Sequence, residues 1–544
     1  MRRGLRSKIV GLVIAGSFAG CSCESAPTGD AGVPRDAFSL VDAGPSRDAY
    51  SVDDAYSVDD AFSVDDAFSV DASAVEDAPW PFDANGCVPH AEGCNGIDDD
   101  CDGTVDDGDL CASGLRCLGG SCRTGGAASW ISVLPNSEAR AVAVDSAGRI
   151  DVVGCLHGAV TLAGHAFTAT GASDSFALQL AADGSHLWAQ RYGGDTGSLA
   201  ECANAVAVWR DDDRLAIVGD FGGSVTFGEL GSGDVVTSTG ALDSYAIALG
   251  NNGILVWERL FSNGATGEVS MSAAVFDAMG NVYVGGRASQ RVQPSGDVQS
   301  VMDAAGDGFV YLLHRDDGVA DGVATRYTSA GADGVTALAF STTDLLTVGF
   351  AGGAMDFGAG PVAFGGGASD AFVVVSPRSD TPRGRLLGGA ADDRAYAAAF
   401  AYASRLVVGG SFAEAADFGG GVRHRRGTSQ ETFLTAESTA DLTWSWDRET
   451  GTANDDRVRA IVADGAAGVY VGGVETVPFV RHYDSEGALV WERTFGDSGV
   501  GVGVQGLAVA PDGTLIVVGV MNGTITEGTI TAIGPGAFVA AIHD

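Results

Sequence analysis

The chain has 544 residues, too many for one ordinary compact domain. Its 31 Lys and Arg stand against 71 Asp and Glu, a formal net charge of -40. So acidic a chain is repelled by nucleic acid and by anionic lipid headgroups, which makes DNA or RNA a poor partner. The charge is uneven: between Glu24 and Asp109 there are 23 acidic residues and two basic ones, Arg35 and Arg47. The remaining body is rich in Gly, Ala and Val, and 81 glycines beside 14 prolines in the whole chain imply many tight turns rather than disorder.

Residues 1–20 read as a signal peptide. Arg2, Arg3, Arg6 and Lys8 form a positive n-region, and Ile9 to Ala19 form an apolar stretch too short to span a bilayer. The stretch runs into Phe18-Ala19-Gly20-Cys21, which resembles a bacterial lipobox, with Phe18 where Leu is usual. That resemblance implies a diacylated Cys21 as the new N-terminus, so the expected location is the outer membrane or cell surface. Ordinary cleavage and secretion is the alternative. Membrane contact is expected only through this anchor, because no later stretch is long and apolar enough for a transmembrane helix.

Residues 21–86 form an acidic, low-complexity tether. A six-residue unit, Asp48-Ala49-Tyr50-Ser51-Val52-Asp53, recurs at 54–59, 60–65 and 66–71. That period fits neither a 3.6-residue helix nor a heptad. Repulsion between the paired Asp residues keeps the segment extended and disordered, a spacer that lifts the body off the membrane. Weak cation binding by the pairs is the rival reading.

Residues 87–127 form a small module in which Cys87, Cys94, Cys101, Cys111, Cys117 and Cys122 fall within 36 residues. In an exported chain this density reads as disulfides, in any of about 15 pairings. A zinc site lacks a C-x2-C pair and a matching His. Inside the module Asp98, Asp100 and Asp102 alternate, Gly103 permits a sharp turn, and Thr104, Asp106 and Asp109 fall at loop positions 7, 9 and 12. Alternating carboxylates converge on one hard cation, so the expected cofactor is Ca²⁺ held in an EF-hand-type loop. Asp109, shorter than the usual Glu, weakens it. Cys94 to Asp107 also resembles the metal-binding motif C-N-G-x-D-D-D-C-D-G-x-x-D of secreted delta-proteobacterial (myxobacterial-type) and MopE-like surface proteins, which implies a metal role without naming the metal.

From 128 to 544 a repeat dominates. Small-apolar-apolar-Gly strands end at Gly154, Gly219, Gly285, Gly349, Gly409, Gly472 and Gly519. An Ala/Val run precedes each, as in Ala141 to Asp145 and Ala460 to Asp464. An aromatic follows, usually two places after an acid: Phe176, Tyr245, Phe309, Phe372, Phe433, Phe479 and Phe538. A last element often opens with Trp130, Trp188, Trp257, Trp446 or Trp491. Four short strands per unit, seven times, predict an all-β, seven-bladed β-propeller behind the disulfide-rich metal-loop module and the tether. The Ala/Val run suits the innermost strand and the aromatics the contacts between blades. The sixth unit is short, with only seven residues from Gly472 to Phe479. The chain enters at the Trp130 strand and stops after an aromatic strand, so the Trp130 strand is expected to complete the last blade and close the ring. Cys155 and Cys202 are placed to form a disulfide that staples adjacent units, two buried free thiols being the alternative.

The units are similar to the bacterial SBBP β-propeller repeats, W-x-x-x-[FY]-G, A-x-A-x-D-x-x-G-N-x-Y-x-x-G and D-x-F, best at Trp491 to Gly496 and Ala273 to Gly285. The fourth and fifth units lack the Trp. The resemblance implies an extracellular or surface protein and assigns no reaction.

Signals for chemistry are few. The eight His form no metal-like pair, Gly501-x-Gly503-x-x-Gly506 precedes a strand with no helix after it, and Asp356-Phe357-Gly358 and Asp417-Phe418-Gly419 read as turns. Arg423-His424-Arg425-Arg426 reverses the charge locally and reads as a solvated loop or a contact for an anionic glycan. The expected function is therefore non-enzymatic binding or adhesion at the cell surface, the partner being a glycan or a protein. A propeller enzyme of lactonase or quinoprotein type and a passive coat or spacer are the alternatives. Inner strands of mostly Ala and Val weigh against an enzyme, which needs polar residues facing inward from several blades.

Overall fold

The computed structural model describes residues 126–543 apart from short loop stretches (195–199, 228–234, 265–266, 379, 402–403, 428, 453–454, 498–501 and 528–529). Ahead of these it describes Ala91 and a two-residue antiparallel ladder, Arg116–Cys117 with Cys122–Arg123. Cys21, the tether, and Asp98, Asp100, Asp102, Thr104, Asp106 and Asp109 lie outside the described residues.

Seven four-stranded antiparallel sheets follow one another along the chain. Blades 1 to 6 span 137–192, 202–262, 269–327, 334–389, 394–450 and 457–494, and blade 7 joins 503–543 to 127–135. Within a blade the strands run from the inside outward, because a half-buried sheet built from a meander pairs each strand with the next. Blade 7 is the exception. Its fourth strand is Ala127–Pro135, paired antiparallel with Gly536–His543 from Ala127↔His543 to Pro135↔Gly536. The ring thus closes by joining the two ends of the propeller sequence, as the phase of the repeat predicts, and the edge of the last blade is covered.

The core is divided among the junctions. Seven clusters of buried apolar residues occur, and each draws on two adjacent blades. The recurring aromatic of one blade faces the blade before it: Phe176 packs with Val518 and Val539 of blade 7, and Phe372 with Val310 of blade 3. Phe176, Phe309, Phe372 and Phe433 are completely buried, worth about 2–3 kcal/mol each relative to exposure. The outer Trp residues are latches between blades. Trp130 Nε1 donates to Ala182 O at 3.0 Å and its ring lies against Gly184, whose φ of +83° and missing Cβ both suit the contact. Trp188, Trp257 and Trp446 donate in the same way to Asn251 O, Arg315 O and Ser485 O. Because the Trp strand closes the blade before it, the units lacking Trp correspond to the outer strands of blades 3 and 4. In blade 4 the arginines take over, Arg383 donating to Thr439 O and Arg385 to Leu442 O of blade 5.

Between its second and third strands every blade except the sixth carries a small hairpin, such as Ala159–Leu162 with His165–Thr168. Blade 6 goes directly from Val474 to its partner Pro478, which accounts for its short sequence. The hairpins of blades 3 and 5 add to the outer strand of the preceding blade, through Phe261↔Pro294 and Gly388↔Asp417. Asp356 and Asp417 sit at hairpin turns, each accepting two glycine amides.

Cys155, in the second strand of blade 1, and Cys202, opening blade 2, have sulfurs 2.10 Å apart and Cα atoms 4.8 Å apart. The bridge closes a loop with a sequence separation of 47. Loop-closure entropy for that length gives about 4 kcal/mol. The Cys155→Ser, Cys202→Ser variant is therefore expected to melt about 4 °C lower. Equal melting of parent and variant in scanning calorimetry would contradict this.

Candidate functional site

The inner strands do more than pack. In every one the ladder to the second strand skips one residue, a β-bulge at the same place in all seven blades. The skipped residues are Arg140, Asn204, Ser272, Thr336, Tyr396, Arg459 and Gln505. A bulge re-aims a side chain out of the pleat, and all seven line one central cavity of about 560 Å³.

The bulge also explains the recurring glycine. The residue paired just before each bulge faces Gly154, Gly219, Gly286, Gly349, Gly410, Gly473 and Gly519. A Cβ at any of them would sit 1.9 to 2.4 Å from a carbonyl oxygen of the bulged strand, for example Glu138 O at Gly154 and Arg394 O at Gly410. No side chain fits there. In blades 3, 5 and 6 this role falls to the second glycine of a Gly-Gly pair, so Gly286, Gly410 and Gly473, not Gly285, Gly409 and Gly472, stand opposite the bulge.

The bulged side chains link the blades around the channel. Arg140 Nη1 donates to Asn204 Oδ1 at 2.6 Å, and Asn204 Nδ2 to Met271 O at 2.8 Å. Ser272 Oγ donates to Val335 O at 2.6 Å, Thr336 Oγ1 to Ala395 O at 2.8 Å, and Arg459 Nη1 to Gln505 Oε1 at 2.8 Å. Asp220, on the second strand of blade 2, accepts from Asn204, Ser244, Ser270 and the Met271 amide. Burial lifts its pKa and these donors oppose the rise.

Three guanidinium groups, Arg140, Arg457 and Arg459, face the cavity from blades 1 and 6. Burial, and after it the like charge of Arg457, presses Arg459 below the usual guanidinium range. The Nε atoms of Arg457 and Arg459 are buried without a hydrogen-bond partner among the described residues. The carboxylates on the same wall are already engaged: Glu138 pairs with Arg140 at 3.6 Å and His157 at 3.2 Å, and Asp220 has its four donors. The channel is a locally basic, donor-rich pocket inside an acidic chain.

This corrects the expectation of an apolar inner wall. Most Ala and Val residues pack sideways against the neighbouring blades, while the bulged position of every blade, joined by Glu138, Asp220, Ser270 and Arg457, turns inward. The signal was in the sequence as one polar residue interrupting each small run: Ala139-Arg140-Ala141, Ala203-Asn204-Ala205, Ala395-Tyr396-Ala397 and Val458-Arg459-Ala460. The basic cluster is largely neutralised, with Arg423 bound to Asp447 at 2.5 Å and Arg426 to Glu449 at 3.2 Å. Among the described residues no group of three His, Cys, Asp or Glu is arranged to hold a metal.

No protein-family model and no curated protein matches the chain. Among solved structures it is similar to the WD40 domain of Neurospora crassa Pan2, at 9% identity and TM-score 0.39 over 74% of this chain and 89% of that one. It is likewise similar to Chaetomium thermophilum Sqt1, at 13% identity and TM-score 0.40 over 77% and 98%. The Dos1 propeller matches at 9% identity and TM-score 0.40 over 76% and 94%.

Proposed function

We propose that the protein is a non-enzymatic binding propeller, tethered at the cell surface through Cys21 and stiffened near its base by Ca²⁺ at Asp98–Asp109. Its channel takes an anionic group of a surface glycan or protein. The observation that carries this reading is the ring of seven bulged side chains, with Arg140, Arg457 and Arg459 facing one cavity. Partly buried guanidinium groups recognise carboxylate, sulfate or phosphate through charge-assisted hydrogen bonds. Acid–base catalysis needs a free acid or base within reach of substrate. The channel carboxylates, Glu138 and Asp220, are held by other groups, which supports binding over turnover.

Isothermal titration of the full chain with sulfate, citrate and, as a neutral control, glucose tests the reading. Citrate or sulfate is expected to bind and glucose not to. Arg459→Ala, which removes one charged donor, is expected to weaken anion binding about tenfold or more. Equal affinity in parent and Arg459→Ala, or no anion binding by the parent, would refute it.

A further inference from the structure

The third strand of five consecutive blades opens with a buried acid: Asp174, Asp243, Asp307, Asp370 and Glu431. At four junctions a second acid, Glu201, Asp333, Asp393 or Asp456, lies just ahead of the next inner strand and is also buried. The two acids of each pair are close enough to repel, as Asp307 does Asp333 and Asp370 does Asp393. Blades 1 and 3 answer this charge with an arginine. Arg191, opposite Phe176, binds Asp174, and Arg326, opposite Phe309, binds Asp307 at 2.6 Å. In blades 4 and 5 the same register position holds Leu386, opposite Phe372, and Glu449, opposite Phe433. There the arginine is missing while the acid pair remains.

At the blade 4–5 junction Asp370 is 1% exposed and Asp393 fully buried. Asp370 Oδ2 accepts the Gly365 amide at 2.5 Å, but its Oδ1 is buried with no hydrogen-bond partner among the described residues. Asp393 accepts the Gly389 and Ala413 amides at 2.7 and 3.0 Å. The free Oδ1 of Asp370 and the Oδ2 of Asp393 both face the gap beside Gly388, at 2.9 and 2.7 Å from where its Cβ would stand. Asp392, the next acid along, is paired with Arg394. The blade 5–6 junction repeats the arrangement. Among the described residues Glu431 Oε2 is buried without a partner, and Asp456 Oδ2 and the Glu431 chain meet at Gly451. Two buried carboxylates without a counter-cation are unfavourable, and an orphaned oxygen aimed into the gap asks for a ligand.

We propose that the blade 4–5 junction, between Asp370 and Asp393, binds a hard divalent cation, Ca²⁺ in the first instance, and that the blade 5–6 junction does so between Glu431 and Asp456. The cation stands in for the arginine of blades 1 and 3. Ca²⁺ suits the place because it accepts oxygen ligands alone, in flexible number and geometry, whereas Mg²⁺ demands a near-ideal octahedron. Such a site pins the third strand of one blade to the inner strand of the next, whereas each arginine pair lies within a single blade.

The test uses the full chain carrying Asp98→Asn and Asp100→Asn, so that Ca²⁺ effects come from the propeller. Melting is followed at about pH 8, above the value of about 7 to which burial lifts Asp393, in chelator and in saturating Ca²⁺. Each occupied site is expected to raise the melting temperature by about 3 °C. Adding Asp370→Asn and Asp393→Asn should remove one site's increment while leaving the chelator melt equal or higher, since two buried charges are gone. Equilibrium dialysis with radioactive Ca²⁺ should show one ion fewer per chain. Asp370→Asn alone serves if the double change folds poorly. An unchanged Ca²⁺ increment and stoichiometry in the variant overturns the proposal. So does a parent that ignores Ca²⁺ and is stabilised only by acid, which would make a shared proton the occupant.

Discussion

Deleting residues 129–136 is expected to lower the melting temperature by on the order of 10 °C and to make the protein associate. The strand they form serves two junctions at once. Trp130 packs on the blade 7–1 cluster, while Ile131 and Val133 pack on the blade 6–7 cluster. Leu134 is 3% exposed, and losing such a side chain alone costs about 2–5 kcal/mol. The ladder from Trp130↔Ala541 to Pro135↔Gly536 adds backbone hydrogen bonds at about 1 kcal/mol each. Its loss strips the Gly536–His543 strand into an open edge, a template for pairing with another chain. Scanning calorimetry and light scattering of the deletion variant check both effects. An unchanged melt in a monodisperse sample would show that the ring holds without this strand.

The second large effect is a loss of stability with rising pH, measured in chelator. Burial is the first cause of raised values at Asp151 and Glu201, both about 8, at Asp393 and Glu437, about 7, and at Asp370 and Asp456, about 6. In the unfolded chain these carboxyls titrate near 4. From about pH 4 upward the unfolded state therefore sheds protons that the folded state keeps, so increasing pH favours unfolding until the folded values are passed. The stabilising contribution is complete below about pH 4 and gone by about pH 8. If the folded protein holds each of these six protons only about tenfold more tightly than the unfolded chain does, the sum is about 8 kcal/mol, or roughly 10 °C. Melting temperature should thus fall steadily from about pH 5 to about pH 8. Asp151→Asn should flatten the curve, because among the described residues Gln179 is the one side chain that hydrogen-bonds Asp151 and its Oδ2 is buried without a partner. A profile that is flat or climbs over this range would contradict the assignment.

Much of the fold was legible along the chain because a propeller repeats its local chemistry. The phase of Val153-Gly154 against Phe176 and Trp188 predicted four strands to a blade, and the position of Trp130 predicted the closure. The short link from Gly472 to Phe479 predicted the stripped sixth blade. The channel was not legible in the same way. Arg140, Asn204 and Arg459 look like isolated polar residues in Ala/Val runs until a ladder shows that each is skipped. A bulge is a relation between two strands, and Gly154 and Gly410 carry its trace only as a missing side chain.

What the sequence determined by itself was therefore periodic: turns at Asp183-Gly184, small residues where blades converge, aromatics where they press together, and the order in which the ends meet. Local propensity and burial pattern decide these things within one unit. Tertiary structure alone decided which acids share a junction, which of them Arg191 and Arg326 neutralise, and where Asp370 and Asp393 are left facing each other. Charges far apart in sequence interact by distance and burial, and neither exists until the blades are packed.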